Sequence, residues 1–268
     1  MLHIKLQANE FTTFVKLIFD EVGITLADSK HTMVESRLHK RVVHYQLESF
    51  AQYLRIVQIT PKEKIAMINL ITTNETYFFR EQAHYDFIEG ILKEYPRDKT
   101  FRIWSAASSV GAEAYSLAMI CESLLNSKNW EIYGSDINTE VVKKARMGLY
   151  PQAWADKIPE TYKKAYCLKG SGKYEGQFIV DRSFSKKMHF FENNLLEYNA
   201  NIGSFDVIFL RNVLLYFNEQ TKKTVIENCI KNLRVGGFFI ISLTENFNTI
   251  KIDNLQHIQT SIYQKTKA

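Results

Sequence analysis

The chain has 268 residues, 46% of them hydrophobic and 24% charged, enough to bury one large core or two smaller ones, which excludes an intrinsically disordered chain. Its formal charge of +5 arises from 34 basic against 29 acidic residues, so an acidic partner is favoured only mildly and a nucleic-acid partner is not indicated. Cys121, Cys167 and Cys229 lie far apart, fit no zinc-ligand spacing and cannot all pair, which predicts a reducing cytoplasmic setting and no metal site.

The opening MLHIKLQANEF has neither the basic segment nor the apolar run of a secretory signal. Helical periodicity then dominates up to about residue 95. In KHTMVESRLHKRVVHY, Val34, Leu38, Val42 and Tyr45 recur on one helical face, with Arg37, Lys40, Arg41 and His44 as a basic flank beside it. By itself such a stripe reads equally well as a solvated face. The stretch TPKEKIAMINLI starts another helix: Pro61 suits the first helical position, and Thr60 and Glu63 are spaced for a reciprocal capping box.

After EYPRDKT the pattern changes. Short apolar runs, FRIWSA, WEIYGSD, FDVIFL and GGFFIISL, alternate with helical stretches such as EAYSLAMICESLL and TKKTVIENCIKNL, which predicts a parallel sheet covered on both faces. The expected organisation is an N-terminal all-helical domain over 1–72, a linker and the start of the catalytic domain over 73–95, and a doubly wound α/β domain over 96–268. Gly170, Gly172 and Gly176 among β-prone pieces predict an antiparallel β-excursion near 167–192. The greasiest run, FDVIFLRNVLLYF, is broken by Asp206 and Arg211, so no membrane insertion is expected.

The chemistry is concentrated in RIWSAASSVGAEAYSLAM, where a strand gives way to small residues and then to a helix with a lone acid, Glu113, in its first turn. At the first strand-to-helix turn of an open α/β sheet, small side chains let a ligand approach the backbone, and Gly111 is expected to serve that approach. Dinucleotide sites carry three glycines there and seat a pyrophosphate on the helix N-terminus. This chain has one glycine followed by a carboxylate, which repels phosphate and attracts an ammonium. The next predicted strand ends in Asp136, placed to bond ribose hydroxyls. An adenosine ligand with a positively charged tail satisfies both acids, and S-adenosylmethionine is such a ligand. The plainer reading of Glu113 is a favourable acid beside a helix N-terminus.

Five stretches, TTNETYFFRE, RIWSAASSVGAEAYSLAM, SDINTEVVKKARMGLYP, FDVIFLRNVLLYF and a late ENF, resemble in order and spacing the chemoreceptor glutamate methyltransferases of the CheR family, from about Phe11 to the end of the chain. The resemblance implies a Rossmann-like S-adenosylmethionine-dependent methyltransferase domain, preceded by a helical domain and carrying a small inserted antiparallel β-subdomain that docks on receptors. It implies a cytoplasmic monomer that forms glutamyl methyl esters on methyl-accepting chemoreceptors. Cofactor contacts are implied for Asn74, Thr76, Arg80, Glu113, Asp136, Asn194, Leu195, Arg211 and Asn212, catalytic roles for Arg80 and Tyr216, and receptor contacts for Arg37, Lys40 and Arg41. The family's usual GEEPYS is GAEAYS here, so Ala112 replaces an acid and Ala114 a proline, and Leu210 stands where Cys is common. Loss of the acid at 112 is expected to weaken or reshape cofactor binding.

A glutamate side chain is already ionised near neutral pH, so its methylation needs no general base, only alignment. Arg80 is the candidate for holding that carboxylate. Tyr216 is the candidate for orienting it or facing a sulfonium through its ring, against the plainer reading of a core aromatic. A base-methylating RNA enzyme commonly carries an Asn/Asp-Pro-Pro-aromatic motif where this chain has LRNVLLYF. The remaining alternative is a non-catalytic S-adenosylmethionine-binding or receptor-docking module.

Overall fold

A computed structural model describes residues 4–96, 98–125 and 129–268. The N-terminal layer consists of α1 (Ala8–Val22), α2 (His31–His44), α3 (Phe50–Ile59) and α4 (Pro61–Ile71). Phe14, Ile18, Val34, Leu38 and Tyr53 are fully buried between these helices, so the helical spacing of the apolar residues translates directly into one small core. Tyr45 departs from the predicted stripe: it ends α2 with its ring half out in water and its hydroxyl donating to Glu63.

Helix α4 begins at Pro61 as its sequence predicts, but the capping box does not form. Thr60 accepts the Glu63 N–H through its carbonyl, and the Glu63 side chain turns into the protein. There it accepts from Arg41 Nε at 2.7 Å and Nη2 at 2.6 Å, from Tyr53 OH at 2.8 Å and from Tyr45 OH at 2.9 Å. Burial opposes the charge on this carboxylate, but these donors outweigh it and hold Glu63 below the usual carboxylate range.

The second part of the chain runs α5 (Gln82–Glu94), β1 (Phe101–Ser105), α6 (Ala112–Leu125), β2 (Trp130–Asp136), α7 (Thr139–Met147), β3 (Leu149–Pro151), α8 (Glu160–Tyr166), β4 (Cys167–Lys169) and β5 (Gln177–Val180). It continues through β6 (Met188–Glu192), β7 (Phe205–Phe209), α9 (Glu219–Lys231), β8 (Leu233–Ile240), β9 (Leu255–Gln259) and β10 (Ile262–Lys265). The main sheet has the order β6-β2-β1-β7-β8-β10-β9, parallel from β6 to β8 and closed by an antiparallel hairpin. Helix α6 lies almost wholly buried on one face, while Val225, Ile226 and Cys229 of α9 pack with Trp104 and Phe205 on the other. After β1 the chain builds outward to β2 and β6, and from β7 it builds the opposite way. The crevice outside the carboxyl ends of β1 and β7 is therefore the switch point at which such sheets receive ligands.

The predicted β-excursion is displaced. A separate antiparallel sheet of order β3-β5-β4 spans residues 149–180, whereas Met188–Glu192 pairs in parallel with β2, Ile132 opposite Met188 and Asp136 opposite Glu192. A short apolar run carries the same periodicity in a hairpin as at a sheet edge, and only the pairing partner separates the two. Among the described residues no helix is long and apolar enough to cross a membrane.

Candidate active site

A cavity of about 540 Å³ opens at that switch point. Its floor is the small-residue turn after β1, Ala106 to Ser109, with Glu113 of α6 behind it and Asp136 and Ile137 after β2. Asn193, Asn194 and Leu195 follow β6, and the segment from Arg211 to Phe217 follows β7. The connection out of the helical layer, including Asn74, Thr76 and Arg80, forms one wall. The roof belongs to that layer: the α1–α2 loop crosses over, with Thr25 N–H donating to Tyr216 O at 2.8 Å and Ile24 bridging Phe217. Every residue for which a cofactor or catalytic role is expected thus lines one opening.

Asp136 is 8% exposed, and its two oxygens accept from Ser109 N–H and Asn138 N–H, each at 2.9 Å. It therefore shapes the turn as well as facing the cavity, holding Ser109 at φ 50°, a left-handed conformation that a non-glycine residue adopts only under restraint. Burial raises its pKa against the backbone N–H groups of Asn138, Ser109 and Ile137, and the carboxylate keeps acceptor capacity towards the cavity. Gly111 does not line the cavity. It has φ 89°, and a Cβ there would meet Ala145 at 2.9 Å and Phe190 at 3.1 Å, so its role is close packing of α7 and β6. Ala112 is likewise fully buried in the core and outside the cavity wall. Ala114 and Leu210 are also core residues.

Glu113 accepts from Ser105 Oγ at 2.7 Å and from Arg211 Nη1 at 2.6 Å. Arg211 is almost wholly buried, bonds the Arg80 carbonyl, and approaches a second carboxylate, Glu81, at 3.2 Å. Glu81 was not singled out from the sequence, although it closes the TTNETYFFRE stretch. Burial would raise its pKa, but the Ser242 hydroxyl, the Arg211 charge and the Leu243 N–H hold it low. Two carboxylates thus balance one buried guanidinium, and what remains to the cavity at Glu113 is acceptor capacity beside a helix N-terminus.

Arg80 is held lightly, by Nη1 to the Glu75 carbonyl at 3.2 Å and by its guanidinium 5.6 Å from the Tyr77 ring centroid. Tyr216 is half-buried and lines the cavity. Asn74 receives the Ser109 hydroxyl on its carbonyl, Asn212 sits at φ 56° with its amide on Ser242 Oγ, and Asn194 reaches back to the Glu21 carbonyl at 2.9 Å. Asn194 therefore ties the floor to the helical layer. His84, beside Glu81 but outside the cavity wall, is buried and its pKa is pushed down to about 4, leaving it neutral. Among the described residues no histidine lines the cavity.

Of the three cations expected to meet a receptor, the structure directs two inward. Arg37 lines the cavity and donates to the carbonyls of Ile71 at 2.6 Å and Thr72 at 3.1 Å, and Arg41 is bonded to Glu63. Lys40 stays exposed.

The cavity fits an amphiphilic cofactor. Its volume is that of a small-molecule site. Among the described residues, three buried donors on its wall, Ser108 Oγ, Asn193 Nδ2 and Arg211 Nε, have no protein partner. Buried donors of that kind are rare and point to a ligand or water.

Two family descriptions match the chain: "CheR methyltransferase, all-alpha domain" over residues 9–72 and "CheR methyltransferase, SAM binding domain" over 74–263. The chain is 35% identical over 247 residues to the chemotaxis protein methyltransferase of Salmonella typhimurium, covering 90% of this chain and 84% of that one. It is 36% identical over 242 residues to chemotaxis protein methyltransferase 2 of Pseudomonas aeruginosa, covering 89% and 86%, and 34% identical over 246 residues to the Escherichia coli protein, covering 90% and 85%.

Proposed function

Because the chain belongs to the CheR methyltransferase family, we propose that it is the S-adenosylmethionine-dependent methyltransferase of a chemotaxis system and esterifies glutamate side chains of a chemoreceptor during adaptation. The observation that carries this reading is the cavity at the sheet's switch point, walled by an acid at the tip of β2, an acid at the start of α6 and Arg80. S-adenosylmethionine supplies, when bound, a methyl group made electrophilic by its sulfonium.

The protein's own residues perform recognition and alignment. Asp136 accepts a ribose hydroxyl with the acceptor capacity that its backbone donors leave open. Glu113, fixed by Ser105 and Arg211, offers acceptor capacity to the ammonium of the tail. Asn193 Nδ2 supplies a donor to the ligand's polar edge. Arg80 takes the acceptor carboxylate in its planar fork and sets the direction of an oxygen without withdrawing a proton, since the carboxylate is already ionised. Tyr216 limits where that carboxylate can lie. Holding the reacting groups in line is the main catalytic contribution such a site can make, and no general base is required. The product is neutral where the receptor carried a negative charge.

Thermal unfolding with and without ligand tests the cofactor assignment. At 100 times its Kd, either S-adenosylmethionine or S-adenosylhomocysteine should stabilise the folded state by about 2.7 kcal/mol, raising Tm by roughly 5 °C for a chain of this size. No shift with either at saturation contradicts the reading.

A further inference from the structure

Two leucines stand in water beside the cavity mouth: Leu215 is 55% exposed and Leu243 46%. They lie on the loops that leave β7 and β8, neighbouring strands paired through Phe209 and Ile240. Both loops are pinned from beneath. The Glu245 carboxylate accepts from Asn212 N–H at 2.9 Å, Ser242 N–H at 3.1 Å and Leu215 N–H at 3.3 Å, while Leu243 N–H donates to Glu81 at 2.9 Å. Glu81 adjoins Arg80, and beyond Arg80 the Tyr77 ring is 38% exposed, with Lys157 Nζ 5.8 Å from its centroid.

Single exposed apolar side chains are ordinary on protein surfaces. These differ in lying on loops bonded to part-buried carboxylates, Glu245 and Glu81, with Leu215 on the cavity wall that Arg80 also lines and with Arg80 and Lys157 both beside the Tyr77 ring. Docking surfaces have this composition, an apolar patch with aromatic and cationic groups.

We infer that Tyr77, Leu215 and Leu243, with Lys157, form the docking surface for an amphipathic receptor segment in which the acceptor glutamate is flanked by apolar side chains. The inference rests on the function proposed above. The flanking apolar groups cover the leucines and the tyrosine ring, and Arg80 and Lys157 attract the carboxylate between them. Burial of the rim thereby selects a glutamate by its neighbours as well as by its charge.

The test uses the full chain and a cytoplasmic receptor fragment. Receptor Kd is measured by calorimetry on protein saturated with S-adenosylhomocysteine, and receptor KM by methyl transfer. Leu243→Ser should raise both severalfold, and the Leu215→Ser/Leu243→Ser pair about tenfold. Leu243 lies off the cavity wall, so Leu243→Ser should leave S-adenosylhomocysteine affinity within twofold of wild type. Unchanged receptor Kd and KM in the double variant overturn the inference, as does a parallel loss of S-adenosylhomocysteine affinity in Leu243→Ser, which makes the loop structural. Wild-type protein that transfers no methyl to receptor overturns the proposed function and this surface together.

Discussion

Arg80 sits between two residues in left-handed backbone conformation, Phe79 at φ 55° and Glu81 at φ 62°. Each such conformation costs about 1–3 kcal/mol and persists only where surrounding contacts impose it. Phe79 N–H donates to Ser116 Oγ at 3.0 Å, its ring packs with Tyr85 and Tyr162, Arg211 grips the Arg80 carbonyl, and Glu81 is bonded to Ser242 and Leu243. The backbone of Arg80 is therefore fixed while its guanidinium is lightly held, the arrangement expected of a group that orients a substrate. Both Arg80→Lys and Arg80→Ala should lose methyl transfer by about 100-fold, because lysine keeps the charge but not the planar fork. Cofactor affinity, read by calorimetry, should fall far less, since Asp136 and Glu113 contact a different part of the cavity wall. Wild-type rates for Arg80→Ala at saturating cofactor and receptor would make Arg80 a structural residue. At this scale the motif stretches carry much of the site, including Glu81 and Glu245 at the ends of two of them, but the anchoring roles of these acids and of Asn193 were not legible: an acid or amide in a loop looks the same in sequence whether it faces water or anchors its neighbours.

Helix α2 shows how an element can be read correctly and its chemistry incompletely. The spacing of Val34, Leu38 and Val42 defines the buried face, and these residues are fully buried. The basic flank beside them is not uniform, because long arginine stems reach partners that periodicity does not encode. Arg37 ties α2 to the end of α4 and the connection into the cavity wall, and Arg41 neutralises the buried Glu63. Charge reversal across the stripe would therefore mix folding with recognition. Arg41→Glu should destabilise the protein by about 3 kcal/mol, since it leaves a buried carboxylate facing a second one. Lys40→Glu should change stability by less than about 0.5 kcal/mol and reduce receptor methylation at low salt if this flank meets an acidic receptor surface. Denaturant unfolding of the two variants checks the contrast, and equal midpoints would contradict it. The same limit displaced the β-excursion, where the run containing Phe190 and Phe191 proved to be a parallel strand beside β2.

Across the whole molecule, the helical layer and the sheet share the cavity rather than merely adjoining it. Thr25 and Ile24 cross to Tyr216 and Phe217, and Asn194 reaches Glu21, so a ligand on the strand tips also meets the α1–α2 loop. The alternation of apolar runs and helices gave β1, β2, β7 and β8 and hence the switch point. The edge strand β6 and the interior strand β10 depend on pairing with the distant β2 and β8, which local periodicity cannot express. Esterification of glutamate in this shared cavity, the function proposed above, is read most directly by the alkali lability of methyl label transferred from S-adenosylmethionine to a receptor fragment. A carboxylate acceptor predicts label on the receptor that is released as methanol in mild alkali. Label that survives alkali, or a receptor that acquires none while the protein is saturated with cofactor, would contradict it.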